Sequence, residues 1–237
     1  MASVAHATVA SPEDVSAHTT SAERFVRTQH LPAAYSPWRQ VAVTATVAGG
    51  IAVLGLALAS RARPIDWVLM PIFFVVANFL EWTVHRYPMH HPMFPRVMYR
   101  NHAMLHHIAF TDRNMPVAET RELGLVMMPW YTMLGLFVVA SPVMVLAAFV
   151  RGPGLAGVFL LGAVLYFASY ETLHALYHLP DAKLDRIGLG RLRVFRRMQA
   201  HHTHHHILRR MAFVNFNVTV PLMDWLFGTK ERPAPRD

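Results

Sequence analysis

Four long blocks of apolar, uncharged residues govern what this chain can fold into. The hydrocarbon interior of a bilayer is about 30 Å thick and cannot solvate a charge or an unpaired backbone group, so a crossing segment is an apolar helix of roughly 20 residues. Val41 to Ser60 is the first such block, closed by Arg61 and Arg63. Pro64 and Asp66 open a second helix that runs to about Val84, because proline suits a first helical turn and an acid complements the dipole there. The third block, Leu123 to Val150, is interrupted by Pro129 and Pro142. It reads as one kinked or tilted span, with a re-entrant segment as the alternative. A short Arg151-Gly152-Pro153-Gly154 turn leads into the fourth, Leu155 to about Leu173. The expected fold is all-α: a polytopic membrane protein of about four transmembrane helices under a cytoplasmic, histidine-rich helical cap. Residues 1–40 are rich in Ala, Ser, Thr and Pro without a signal-like apolar centre. They read as a flexible cytoplasmic tail, leaving 41–237 as the membrane-embedded domain.

Charge sets the expected orientation. Of 22 lysines and arginines, 19 fall before the first block, between residues 85 and 122, or after residue 178, and only Arg61, Arg63 and Arg151 face the other way. Basic residues accumulate on the cytoplasmic side, so both termini and the central polar segment are expected there. The net charge of +8 suits an anionic membrane surface. No helix-turn-helix spacing or interleaved basic-aromatic pattern points to nucleic acid. The segment Arg191 to Met198 places Leu192, Phe195 and Met198 among four arginines. It fits either a helix lying on the membrane or a solvated basic face.

There is no cysteine, which excludes disulfides, thiolate metal sites and thiol nucleophiles. Histidine is abundant instead. Sixteen are present, and thirteen fall in four tight groups, each on the expected cytoplasmic side. The groups contain His85, His90 and His91; His102, His106 and His107; His174 and His178; and His201, His202, His204, His205 and His206. At about 100° per residue, His174 and His178 share a helix face, as do His102 and His106, with His107 turned toward a second ion. His202, His205 and His206 fall in a narrow arc, and Pro88 breaks the helix between His85 and His90. Ten histidines (85, 90, 102, 106, 107, 174, 178, 202, 205 and 206) suffice for about five nitrogens on each of two metals, leaving positions open for dioxygen or substrate. His91, His201 and His204 are extra to this pattern, and His6, His18 and His30 read as inert. A metal-bound imidazole needs an acceptor on its other nitrogen, for which Glu81, Glu171, Asp112 and Asp224 are candidates.

These residues resemble the fatty acid hydroxylase and sterol desaturase superfamily of membrane di-iron enzymes. The likeness runs from about Phe79 to Thr229. It rests on H-x4-H (His85, His90), H-x3-HH (His102, His106, His107), H-x3-H (His174, His178) and H-x2-HH (His202, His205, His206), with the closing stretch Asn215 to Thr229. The second box has one residue more than the H-x2-HH frequent in fatty-acid 2-hydroxylases, and the N-terminal tail is too short for a fused haem-binding domain. The resemblance implies two iron ions on the cytosolic side, with zinc able to substitute in purified material. It also implies dioxygen as co-substrate, a separate electron donor of ferredoxin or cytochrome type, and hydroxylation of a C–H bond in a lipid-like substrate such as an acyl chain. A desaturase with the same site is the nearest alternative. A membrane metal transporter is the alternative from another class; it would need polar groups deep within the spans, where this chain has only Asn78 and a few hydroxyls.

Overall fold

The computed structural model describes residues 20–231, which are helical without a strand. Helix α1, Ser21–Gln29, is closed at its start by a reciprocal capping box between Thr20 and Glu23. The segment expected to be flexible as far as residue 40 therefore contains an ordered helix in its described part. The buried Arg27 guanidinium anchors that helix by donating to Ala109 O, Asn114 O, Pro116 O and Glu122. His6 and His18 lie outside the described residues.

Four helical segments are long and apolar enough to cross a membrane, so this is a multi-pass membrane protein. The first, α2, is Pro37–Ala59, starting four residues before the apolar block because Ser36 caps it and Pro37 occupies its first turn. The second segment is divided into α3, Pro64–Val68, and α4, Met70–Arg86. Pro71 has no N–H for the carbonyl one turn earlier, which accounts for the break at Leu69. The third block is not one kinked helix. A short helical turn, Leu123–Val126, stops at an extended Met127, and α5, Trp130–Arg151, begins afresh after Pro129 with Pro142 in its interior. The fourth span is α6, Pro153–Tyr177.

Helix α6 is the hub. Half of its most apolar stretch is buried, against 6–17% for the other three. Those three expose their aliphatic residues outward, with Val138 70% and Phe149 89% exposed, as lipid-facing helices do. Gly157 lets α6 approach α2 closely: a Cβ there would collide with the backbone at Ala59 and Gly55. Phe73 and Phe159 meet edge-to-face at 5.0 Å in the core between α4 and α6. At one end of the bundle Arg151 pairs with Asp66 at 2.7 Å. The other end carries His85 and His174, and over it lie α1, the 87–126 segment, α7 (Arg193–His205) and α8 (Leu222–Leu226). The basic 191–198 segment is built into this cap. Phe195 is buried against Tyr177, and Arg196 bonds to Asp181, Asp185 and Gly190 O, while Leu192 and Val194 remain exposed.

Candidate metal centre

All ten box histidines are buried, none more than 7% exposed. They form two groups of five, and within each group the ring nitrogens lie within 4.8 Å of one another. His85, His90, His102, His107 and His205 make the first group; His106, His174, His178, His202 and His206 make the second. His91, His201 and His204 belong to neither, bonding instead to Arg86 O, Asp224 and Glu231. His30 also lies outside both groups.

Local backbone geometry decides who joins which group. The second box is not α-helical: Arg100–His106 is a π-helical turn, and the N–H of His107 reaches the carbonyl of His102, five residues back. One extra residue per turn brings positions i and i+5 together. His102 therefore shares its group with His107, their Nε2 atoms 3.1 Å apart, while His106 turns to His174 at 3.2 Å. This reverses the pairing expected from 100° per residue, and the π turn accommodates the additional residue of this box. In α7, His202 and His206 stay together while His205 joins the other group, contacting His90 at 3.1 Å. The chain leaves its helix at Arg86, as Pro88 suggested, yet His85 and His90 end in one group with stacked rings.

In five of the ten, the second nitrogen is oriented by a backbone carbonyl rather than by one of the expected carboxylates; the Nδ1 atoms of His90, His107, His174 and His202 have no partner among the described residues. His106 Nδ1 donates to Leu125 O (2.9 Å), His178 to Met115 O (2.9 Å), His205 to Val214 O (2.8 Å) and His206 to Phe110 O (2.5 Å). His85 donates likewise to Phe216 O. Asp112 is exposed, and Glu171 accepts from Met128 N. Glu81 and Asp224 act one step removed. Glu81 accepts from the backbone N–H groups of Val218 and Thr219, and Asp224 from those of Phe216 (2.9 Å) and Asn217 (2.8 Å). Between them they fix the segment whose carbonyls hold His85 and His205. Asp224 also accepts from the Thr229 hydroxyl (2.7 Å) and from His201 (3.2 Å).

A proton on Nδ1 leaves Nε2 as a bare lone pair. Five imidazoles are fixed in that form by their carbonyl acceptors, yet Nε2 atoms meet at 2.8 Å (His85–His102) and at 3.1–3.2 Å elsewhere. Five bare lone pairs thus point into the buried interior of the two groups, where bound cations would accept them. Nitrogens bound at about 2.0–2.1 Å and at right angles stand roughly 2.9 Å apart, which matches this spacing. Burial, aided by neighbouring imidazoles, lowers the pKa values of His102, His106, His107, His178, His202, His205 and His206, and takes His90 down to about 2. All are neutral at pH 7, the form that ligates. The donor set fits two borderline metal ions and has no thiolate to bias the choice.

Two pockets adjoin the groups. One, open-sided, is lined by apolar faces of α4, α5 and α6, including Phe73, Ala140 and Phe159, and has His85 in its wall. The other reaches His102, His106 and His174 from the cap. Met89, Met128 and Tyr170 border both. The buried Tyr170 hydroxyl has no hydrogen-bond partner among the described residues. Sequence reasoning missed the buried Asn78, Asn217 and Thr219 network and the pocket residues. The alternation of polar Asn215, Asn217 and Thr219 with Phe216 and Val218 was a usable signal; the carbonyl acceptors left none, since every residue has one.

Comparison with curated proteins and with solved structures gives no match. The sequence pattern of the fatty acid hydroxylase family matches residues 70–229 of the 237. Because that stretch takes in both histidine groups, the segment that orients them and three of the four spans, the chain belongs to the fatty acid hydroxylase family.

Proposed function

We propose that the protein is a membrane di-iron monooxygenase that hydroxylates a C–H bond of a lipid-like substrate, an acyl chain or a related molecule. Dioxygen is the co-substrate and a separate ferredoxin- or cytochrome-type protein the electron donor. The observation that carries this reading is that two buried five-imidazole groups adjoin pockets, an apolar one between the spans reaching His85 and a second reaching His102, His106 and His174. Substrate carbon, one dioxygen, two electrons and two protons give an alcohol and water. The ten histidines would hold two iron ions, which when bound would supply the redox chemistry that redox-inert zinc lacks.

The chain's own residues would supply position and dryness. The Phe73, Ala140 and Phe159 walls bind an apolar chain and direct it toward His85. Phe110 packs on His106 and His178, and Phe216 packs on His85, His90 and His205, keeping bulk water from the imidazoles. The carbonyls of Leu125, Met115, Val214, Phe216 and Phe110 hold the Nδ1 protons of His106, His178, His205, His85 and His206, so these five rings present Nε2 to the metal. Both termini and the histidine end would face the cytoplasm, where reductant is available.

The test is lipid analysis of cells expressing the protein with a competent electron donor under labelled dioxygen. The expected product is one lipid class heavier by one labelled oxygen atom and absent with His174→Ala. A product two hydrogens lighter would make it a desaturase. Changed metal uptake that needs the same histidines, with no new lipid, would overturn the enzyme reading.

A further inference from the structure

The C-terminal segment is not a conventional cytosolic loop, because its contacts place it at the depth of the spans. Asn78 donates to Val220 O at 2.8 Å and its carbonyl oxygen Oδ1 accepts from Met223 N at 3.2 Å, while Asn217 donates to Asn78 O at 3.1 Å. Asn78 lies eight residues before the end of α4, or about 12 Å at 1.5 Å per residue. A second span gives the same answer: the Thr219 hydroxyl meets the Tyr166 hydroxyl at 2.7 Å, eleven residues or about 16 Å before the end of α6. The 23 residues from Pro64 to Arg86 extend about 34 Å, only slightly more than the hydrocarbon thickness. Residues bonded to Asn78 thus lie below the polar boundary.

The backbone chemistry of the segment points the same way. Irregular backbone at membrane depth persists only where protein groups replace water. Here Glu81 receives the N–H groups of Val218 and Thr219, Asp224 those of Phe216 and Asn217, and the Asn217 side chain that of Asp224. The outer face is apolar. Trp225 is 70% exposed and Leu226 59%, and Phe227 lies against Phe79 and Trp82 on the flank of α4. The exposed Lys230 follows directly, where a cation can reach the headgroups.

We propose that residues 220–227 form a re-entrant hook in the leaflet on the histidine side, with Trp225 and Leu226 in contact with lipid acyl chains. The hook continues the lipid-facing surface of α4. It also ties the first histidine group to the bilayer, since Val214 and Phe216, just upstream, hold His205 and His85. A lipid entering sideways therefore meets a centre held at a fixed depth.

The chain has no cysteine, so Trp225→Cys and Leu226→Cys can each carry a single environment-sensitive fluorophore in the full-length, metal-loaded protein. The labelled proteins would be placed in phosphatidylcholine–phosphatidylglycerol vesicles, with lipid-facing Val138→Cys and cap-surface Arg186→Cys as references. The hook predicts strong quenching by lipids carrying a nitroxide near the headgroup end of the chain, and iodide quenching several-fold weaker than at Arg186→Cys. Unchanged metal content would show that each variant is folded. Iodide quenching equal to the Arg186→Cys reference, without nitroxide quenching, would overturn the proposal. So would shielding from both quenchers, which would mean that protein covers the face.

Discussion

Asp224→Asn is the most informative single substitution, because one buried carboxylate holds four donors and none of them is a metal ligand. Asp224 is fully buried and accepts from Phe216 N at 2.9 Å, Asn217 N at 2.8 Å, Thr229 Oγ1 at 2.7 Å and His201 at 3.2 Å. The amide keeps one oxygen, which can still receive Phe216 N and Thr229. Its NH2 group must then face Asn217 N–H, donor against donor, and the His201 partner is also lost. Two buried bonds to a charged group, each left unmade at about 1–3 kcal/mol, cost about 2–6 kcal/mol. That is comparable to a sizeable part of a typical domain's stability of about 5–15 kcal/mol. The strain falls on the segment whose Phe216 carbonyl orients His85, so the first histidine group suffers and the second does not. Loss of an orienting partner lowers metal affinity by roughly 10–100-fold. Under limiting metal, elemental analysis should therefore give about two ions per chain for the parent protein and about one for Asp224→Asn, with a lowered unfolding temperature. Full retention of both ions at the same affinity would refute the claim that Asp224 acts on the centre through the backbone.

Other substitutions probe different links. His178→Ala and His90→Ala should each reduce bound metal and abolish oxygenation, whereas His91→Ala and His204→Ala should leave metal content unchanged, as read by elemental analysis. In metal-free protein the buried imidazoles have lowered pKa values, so below about pH 6.5 the unfolded chain binds more protons than the folded one. Stability is then fully present above that pH and lost as pH falls, and an unfolding temperature that held constant from pH 7 to 5 would contradict the burial. Gly157→Ala forces α2 and α6 apart and should cost about 1–3 kcal/mol in unfolding assays, while Gly135→Ala, with open space around it, should cost nothing measurable. An impermeant thiol reagent should modify cysteines placed near Arg61 or Arg151 from outside the cell, but not those near Arg113 or Lys230; the opposite pattern would reverse the expected orientation.

The sequence alone determined the all-helical class, the number of spans and the identity of the ten clustered histidines. Each rests on local physics: a bilayer admits only long apolar helices, and imidazoles have no reason to crowd one end of a bundle unless they serve a common purpose. Span boundaries were less legible where proline acts. Pro129 and Pro71 look alike in a hydropathy pattern, but one precedes a fresh helix and the other divides a span near its start. The partition of histidines between the two groups was decided only by tertiary structure. Rotation at 100° per residue pairs His102 with His106, whereas the π turn pairs His102 with His107. The orienting acceptors were likewise invisible, because a carbonyl carries no sequence signature and becomes an acceptor only when distant chain segments bring it to an imidazole. Glu81 and Asp224 were recognised as important, but their action through the 214–219 backbone depends on contacts spanning more than 130 residues, which no periodicity records.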